Sequence, residues 1–292
     1  MSKVHSILSE KIVLGTVQFG TDYGITNLDG TPTKNQIFDI LDFAWQNGII
    51  RFDTAPDYGS ENILGEFITT NGLQKRALVS TKIPSLKEIS NIKNHIRRKI
   101  EKSLDNLGCP IDVLFFHDPS DSILLKNNPN FFENILNDYP ITKIGVSVYE
   151  PEEVELLKDC TFELAFQFPF NLFDRRFEKV KMVNGNRYAR SIFLQGILAS
   201  SGDLRGNPPI ELSNFHKKYH ENLIKLNINP LEAAFLFVIK RQFINYFLVG
   251  VDTKEQLDEI LSLNLEHHSN FFEFEKFDID FKKKWIDPRE WS

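Results

Sequence analysis

Two side chains with complementary acid–base chemistry, Asp53 and Tyr58, lie close together in the segment IRFDTAPDYGSENILG. The apolar residues before Asp53 predict a short strand that ends at this carboxylate, and the turn DTAPDYG follows. Ser60 is then predicted as the N-cap of a helix over residues 61–69. Because α/β barrels carry their chemistry at the carboxyl ends of their strands, Asp53 and Tyr58 are candidate catalytic residues.

Two further polar side chains end apolar runs in the same way: Lys82 closes ALVSTK and His117 closes VLFFH. We expect these side chains to meet Asp53 and Tyr58 at one mouth of the fold. A phenol has a pKa near 10, and a neighbouring ammonium lowers that pKa because it stabilises the phenolate. The four residues therefore predict that Tyr58 gives a proton to a carbonyl oxygen, while Lys82 and Asp53 tune it and His117 orients the carbonyl.

Each of these residues also has an ordinary structural interpretation when it is taken alone. An aspartate after a strand is often a turn residue, a loop tyrosine often packs, and a terminal lysine is usually solvated. Lys82 also allows a Schiff-base interpretation, since a lysine at the end of a barrel strand can react with a carbonyl. That interpretation leaves Asp53 and Tyr58 without a role.

Eight short apolar runs alternate with amphipathic segments, which is typical of βα units around a parallel sheet. The pattern predicts the α/β class and a closed (β/α)8 TIM barrel, with a single domain over residues 1–292. The predicted strands cover residues 12–16, 49–53, 77–82, 113–117, 143–148, 164–168, 191–195 and 246–251.

Several helices are predicted between these runs. One spans residues 91–107, where apolar residues share one face, and another spans 151–157 and opens with proline. The connection between the seventh and eighth strands is longer, with helices predicted over 211–226 and 230–241, the second capped by Asn229. The tail, residues 264–292, lacks barrel periodicity and is predicted to fold over one end of the barrel.

Composition excludes several function classes. The formal net charge of −6 argues against a non-specific nucleic-acid binder, which needs a basic surface. The two cysteines, Cys109 and Cys160, lack metal-site or disulfide spacing, which favours a reducing cytoplasm. No run is apolar enough for a membrane span.

His216 and His220 have i,i+4 spacing, but no glutamate or third ligand accompanies them, so no metal site is predicted.

The motifs together resemble the aldo-keto reductase superfamily over nearly the whole chain. LGTVQFG, DTAPDYGSENILG, STK and FFHDP match that family's catalytic tetrad in order and spacing, with Asp53, Tyr58, Lys82 and His117 at its four positions. GVSVYEPEEVE, QFPFNLFDR and FLVGVDTKEQLDEIL resemble its fifth, sixth and eighth strand segments. The resemblance implies an NAD(P)H-dependent oxidoreductase that reduces an aldehyde or ketone.

The resemblance also implies a cofactor site, which the barrel itself must form because no GxGxxG follows the first strand. It implies that Ser147 and Gln167 bind the nicotinamide carboxamide, although Val148 replaces a common asparagine. It places Arg190 where an aromatic residue often stacks on the nicotinamide, a role that a planar guanidinium can also fill. The implied cofactor-binding residues are Thr16, Ser147, Gln167, Arg190, Gly250, Thr253, Lys254 and Gln256.

The choice between NADP and NAD depends on the segment around Thr253. Thr253 and Gln256 form a predicted capping box whose backbone N–H groups are positioned to receive a 2′-phosphate, with Lys254 as cationic help. Gln256 replaces the arginine of many NADPH-preferring members, and Asp252 favours a ribose hydroxyl instead. The family's habit favours NADP, with NAD as the alternative.

The sequence leaves two rival functions open: a barrel that binds nucleotide as a sensor or partner subunit, and a Schiff-base lyase that uses Lys82. For the reductase, the segments DYGITN and ARSIFLQG resemble members associated with sugar or nucleotide-sugar metabolism. The sequence predicts a small-molecule carbonyl substrate but neither its identity nor the oligomeric state.

Overall fold

The computed structural model describes residues 8–24, 27, 30–182, 185–200, 210–263 and 286. Eight parallel strands pair in sequence order, and the last strand pairs with the first, so the sheet closes into a barrel. The predicted (β/α)8 architecture is confirmed. The strands are β1 (Ile12–Gly15), β2 (Arg51–Asp53), β3 (Leu78–Ile83), β4 (Ile111–Phe116), β5 (Ile141–Ser147), β6 (Ala165–Pro169), β7 (Arg187–Arg190) and β8 (Tyr246–Gly250).

The helices follow the strands, and several begin at sequence signals that satisfy their free N–H groups. Asn91 caps the helix after β3 by accepting from the Asn94 N–H, and Asn229 caps the helix that begins at Pro230 by accepting from the Leu231 and Glu232 N–H groups. The helices are α1 (Lys34–Gln46), α2 (Glu61–Thr70), α3 (Ile92–Leu107), α4 (Ile123–Asn127), α5 (Pro129–Asp138), α6 (Pro151–Glu155), α7 (Ile210–Leu226), α8 (Pro230–Ile239) and α9 (Lys254–Leu261).

The apolar residues divide between two packed regions. A large cluster lies between the strands and the surrounding helices. A smaller cluster fills the barrel interior, where Phe115 of β4 meets Tyr188 of β7 edge-on at 5.6 Å between ring centroids. The interior is therefore a packed core rather than a channel, as in other barrels of eight strands. Chemistry must take place at the mouth.

Parallel register brings the carboxyl ends of neighbouring strands to one level. Gly15 pairs with Asp53 on one side and with Gly250 on the other, and Ser147 pairs with Gln167. Residues far apart in the sequence thus share one rim of the barrel.

The predicted seventh strand, residues 191–195, is wrong, because β7 lies earlier. That segment forms turns in which Ser191, Leu194 and Gln195 have positive φ angles of 56°, 47° and 54°. Ile192 and Leu194 are buried and Phe193 is partly buried, so the apolar run reflects the packing of a loop against the core instead of a strand. The other seven predicted strands overlap the observed strands.

Two other expectations concern the chain outside the barrel strands. Apart from the buried Ile286, the predicted tail over 264–292 lies outside the described residues. Within the described residues, no single helix passes a length and hydropathy test for crossing a membrane, whereas α7 and α8 pass it only as a pair bent by 89°.

Candidate active site

The four predicted catalytic side chains meet at the carboxyl end of the barrel. Lys82 Nζ lies 2.6 Å from Asp53 Oδ1, and both side chains are almost completely buried. The ammonium also donates to the Thr54 carbonyl at 2.8 Å and lies 4.7 Å from the ring centroid of Tyr58. The Tyr58 ring stands edge-on to His117, with 6.1 Å between centroids. Ion pair, phenol and imidazole therefore form one contiguous group.

A compact turn fixes Tyr58 above the ion pair. Residues Pro56–Tyr58 form a single 3-10 turn, which Gly59 ends with a φ of 73°. The loop after β1 packs directly on this turn, because a Cβ at Gly20 would collide with the Tyr58 carbonyl. Only glycine permits so close an approach.

Ser60 occupies the N-cap position of α2 as predicted, but its side chain does not cap the helix. Its hydroxyl forms no capping bond and instead lies 2.8 Å from the Thr16 hydroxyl and 2.9 Å from the Thr54 hydroxyl. Thr16 also donates to the Asp53 carbonyl at 3.0 Å. This buried hydroxyl chain joins β1, the end of β2 and the start of α2, so it holds the backbone that carries Asp53.

Burial changes the expected acidity of Tyr58. Desolvation raises the pKa of the phenol above its usual value, and the neighbouring Lys82 ammonium only partly offsets this rise. The prediction of a net lowered pKa is therefore wrong for the chain as it stands, because loss of hydration outweighs the ammonium. Tyr58 is protonated at neutral pH, as a proton donor must be.

The pKa values of Lys82 and His117, the two titratable neighbours of Tyr58, are shifted in opposite directions. Burial acts to lower the pKa of Lys82, but Asp53 and Tyr58 together outweigh it and the net pKa is raised. The pKa of His117 is lowered by its own burial and by the Lys82 charge, with Asp57 at 3.7 Å opposing the shift. At neutral pH, Lys82 is charged and His117 is neutral.

One cleft of about 640 Å³ opens over this group and extends to α9. Asp53, Tyr58 and His117 line it at the barrel mouth, and Asp252 and Glu259 line it at α9. Its size suits an extended ligand. Six of the eight predicted cofactor-binding residues line this cleft: Thr16, Ser147, Gln167, Arg190, Gly250 and Gln256.

The other two predicted residues, Thr253 and Lys254, line a second cleft beside α1, together with Asp39 and Asp42, and Asp252 lines both clefts. Lys254 Nζ lies 5.3 Å from the ring centroid of Phe43 in that region. The structure therefore does not bring Lys254 together with the rest of the predicted cofactor site.

Two backbone amides at the start of α9, those of Asp252 and Gln256, are already engaged. Thr253 Oγ1 accepts from the Gln256 N–H at 3.2 Å, and Gln256 Oε1 accepts from the Asp252 N–H at 2.7 Å. The capping box thus forms in a variant way, with its return bond to Asp252 rather than to Thr253. In addition, Asn27 donates to Asp252 Oδ1 at 3.1 Å.

Gln167 has a contact that the sequence did not predict. Its Nε2 donates to Asp53 Oδ2 at 2.9 Å, opposite the oxygen that binds Lys82. Both oxygens of the buried carboxylate therefore have donors, one charged and one neutral. Gln167 links the predicted catalytic group to the predicted cofactor site.

Arg190 ends β7 at the wall of the cleft. Its guanidinium donates to the Val148 carbonyl at 3.2 Å and lies over the Tyr149 ring, 4.0 Å from the centroid. One face of the guanidinium is thus covered by Tyr149, which leaves only the opposite face for stacking on another ring.

Sequence reasoning missed several lining residues: Gln18, Tyr23, Tyr149, Phe193 and Gln195. Tyr149 follows the end of β5, so the rule that found His117 also applies to it. Gln18 carries the clearest signal of a missing partner. It is 8% exposed, and its Oε1 has no hydrogen-bond partner among the described residues.

His216 and His220 contact backbone carbonyls on the loop after β7. Their Nε2 atoms lie 3.0 Å from the Ser200 carbonyl oxygen and 3.3 Å from that of Ile197, and burial lowers the pKa of His220 to about 4. These contacts hold the turn segment that lines the cleft.

In the part of the chain that the structure describes, no group of three or more His, Cys, Asp or Glu residues is placed to hold a metal ion.

Comparisons with known proteins point in one direction. The model of the aldo/keto reductase family matches residues 11–272. The chain is similar to the aldo-keto reductase YhdN of Bacillus subtilis (strain 168), with 28% identity over 182 residues. That match covers 59% of this chain and 54% of the relative, so it spans about half of the relative's length.

Solved structures share the fold at low identity. A glycerol dehydrogenase from Gluconobacter oxydans superposes with a TM-score of 0.66 at 23% identity, over 86% of this chain and 85% of that one. A candidate aldo-keto reductase from Pseudomonas aeruginosa gives 0.62 at 21% identity, over 86% and 88%. At such identities these likenesses bear on the fold alone.

The buried ion pair generates a stability prediction. Lys82→Met leaves the Asp53 carboxylate buried without its cation, and we expect the free energy of unfolding at pH 7 to fall by about 3–5 kcal/mol. The double variant Asp53→Asn/Lys82→Met removes both charges and should recover much of that loss. Urea unfolding of the three proteins measures both differences. Equal stability of the single and double variants would contradict the assignment of the loss to an uncompensated charge.

Proposed function

Since the chain belongs to the aldo/keto reductase family, we propose that it is an NAD(P)H-dependent oxidoreductase that reduces an aldehyde or ketone to an alcohol. The observation that carries the proposal is the protonated Tyr58 phenol beside the buried Lys82–Asp53 pair, at the end of a cleft long enough for an extended cofactor. A phenol held beside a fixed ammonium is suited to proton donation.

The proposed mechanism assigns a separate task to each side chain. A nicotinamide cofactor held by the residues that line the cleft would supply the hydride that the carbonyl carbon accepts. Tyr58 gives its proton to the carbonyl oxygen, and Lys82 stabilises the phenolate that remains. Asp53 keeps Lys82 charged and in place, while the neutral His117 offers a ring N–H that orients the carbonyl. In the reverse direction, the same groups take a proton from an alcohol.

The residues that line the cleft fit a dinucleotide. Ser147 and Gln167 are neighbours across β5 and β6 and offer a hydroxyl and an amide to the nicotinamide carboxamide. Gln18 Oε1 is a buried acceptor in need of a donor, which a ribose hydroxyl supplies. Gly250 lies against Gln18, where a Cβ would come within 2.6 Å of that oxygen, so glycine keeps the wall open.

The geometry favours NADH, although the family's habit favours NADP. The Lys254 ammonium lies in the other cleft, and the Asp252 and Gln256 amides are engaged within the helix start. Glu259 places a carboxylate on this part of the cleft, and Asp252, which lines both clefts and accepts from Asn27 with Oδ1, adds a second negative charge. Carboxylates accept hydrogen bonds from a ribose diol and repel a 2′-phosphate.

The surroundings of Lys82 disfavour the Schiff-base alternative. A lysine that attacks a carbonyl must be neutral, whereas the Asp53 carboxylate at 2.6 Å raises the pKa of Lys82. An intact donor group likewise argues against a nucleotide sensor without turnover.

The lining by Tyr23, Tyr149 and Gln195 suits a hydroxylated substrate, so a sugar or nucleotide-sugar carbonyl in the cytoplasm remains part of the proposal.

Replacement of the proton donor tests the mechanism. Tyr58→Phe removes only the hydroxyl, so we expect carbonyl reduction to slow by about 10² to 10⁴ while the dissociation constant for the cofactor changes little. Stopped-flow NADH oxidation and fluorescence titration measure the two quantities. Tyr246→Phe, at the opposite end of the barrel, is the matched control. Wild-type turnover by Tyr58→Phe would show that another group is the acid.

Cofactor selectivity tests the carboxylate assignment. We expect NADH to bind about 3- to 10-fold more tightly than NADPH at low salt, since Asp252 and Glu259 repel the extra phosphate. Asp252→Asn combined with Gln256→Arg should reverse this preference, because a guanidinium pairs with phosphate. Asp39→Asn, which removes an equal charge from the other cleft, should leave it unchanged. Tighter NADPH binding by the wild-type chain would show that the carboxylates do not set the selectivity.

A further inference from the structure

Arg190 is a partly buried cation without a carboxylate partner among the described residues. The Arg190 guanidinium contacts the Val148 carbonyl and the Tyr149 ring, neither of which carries a charge. By contrast, the partly buried Arg176 binds both Asp174 at 2.7 Å and Glu150 at 2.8 Å. Removing a charge from water is costly unless the charge is paired. A partly buried arginine without a carboxylate partner is therefore typical of an anion-binding site.

The charge of Arg190 dominates the reactive end of the cleft. The Asp53 charge is balanced by Lys82 at 2.6 Å, and His117 is neutral at neutral pH. Tyr23 and Tyr149 add polar groups without charge, and the Asp57 carboxylate, 3.7 Å from His117 Nδ1, is more than half exposed and does not line the cleft. Asp252 and Glu259 lie farther along the cleft, at α9. The reactive end of the cleft therefore has a positive electrostatic potential. A neutral carbonyl compound would gain no charge–charge attraction from it.

Arg190 is also held in a fixed orientation. Val148 and Tyr149 follow the end of β5, and they fix one donor and one face of the guanidinium. The group has five N–H donors, so one bond to a carbonyl leaves a fork for two parallel bonds. Such preorganisation lowers the entropic cost of binding a planar oxyanion.

We propose that Arg190 selects carbonyl substrates that carry an anionic oxygen group, a carboxylate or a phosphate, a few bonds from the reacting carbon. The inference rests on the proposed function, because it names the substrate class of the same site. The other candidate user of the charge is the cofactor, and the test must separate the two.

Matched aldehydes isolate the contribution of the anionic group. Succinic semialdehyde and butanal differ by a carboxylate in place of a methyl group, and glyceraldehyde 3-phosphate and glyceraldehyde differ by a phosphate. We expect kcat/KM to favour the anionic member of at least one pair by about 10- to 100-fold, mainly through a lower KM. The pair that shows the preference identifies the anion.

Variants of Arg190 complete the test. Arg190→Gln should reduce the preference to near unity, and Arg190→Lys should restore part of it, because the charge returns without the fork. Arg98→Gln, which removes an exposed guanidinium from α3, should keep the full preference. The dissociation constant for NADH, from fluorescence titration, is measured for every variant.

Three results would overturn the inference. Equal kcat/KM within both pairs for the wild-type chain, with turnover present, would overturn it and leave the proposed reductase function intact. Equal losses for both members of a pair in Arg190→Gln, with a weakened NADH complex, would assign the charge to the cofactor. If no aldehyde is reduced with NADH or NADPH, the proposed function and the inference both fail.

Discussion

The buried ion pair between Asp53 and Lys82 is the interaction on which the site depends. Two charges removed from water are costly unless each is paired and hydrogen-bonded. Here the carboxylate binds the ammonium with one oxygen and the Gln167 amide with the other, while the ammonium also binds the Thr54 carbonyl. The pair thereby holds a fixed positive charge beneath Tyr58. Burial of each ring is the main cause of the pKa shifts of Tyr58 and His117, and the Lys82 charge acts on both pKa values in addition.

The barrel provides the rigidity that such a pair requires. Parallel register sets Asp53 level with Gly15, and the hydroxyl chain of Thr16, Ser60 and Thr54 ties these strand ends together. Gly20 lets the first loop pack on the turn that carries Tyr58. Small residues and hydroxyls near the mouth therefore position the side chains proposed to do the chemistry, and the loops after β5 and β7 remain to determine the substrate.

The sequence predicted the tetrad because polar residues that end apolar strands must meet at the mouth of a barrel. The same logic failed for β7, since residues 191–195 are apolar through loop packing, with backbone angles that no propensity indicates. The position of Lys254 was equally unpredictable, because a side chain at a helix start turns toward whichever neighbours fold beside it, in this case Phe43. Gln167 was placed at the site, but its bond to Asp53 depends on closure of the sheet between distant strands. The end of a strand can be predicted from neighbouring residues in the sequence. The contacts of Lys254 and Gln167 join residues that are far apart in the sequence and therefore depend on the whole fold.

The central claim is that a protonated, buried Tyr58 gives the proton during carbonyl reduction. Its most direct test is the pH dependence of kcat for reduction with saturating cofactor and aldehyde. Because burial raises the pKa of Tyr58, the rate should stay constant from about pH 6 to about pH 9 and fall only as the phenol ionises at higher pH. A rate that instead falls between about pH 6 and pH 7 would identify a group with the pKa of an imidazole as the donor and would contradict the account.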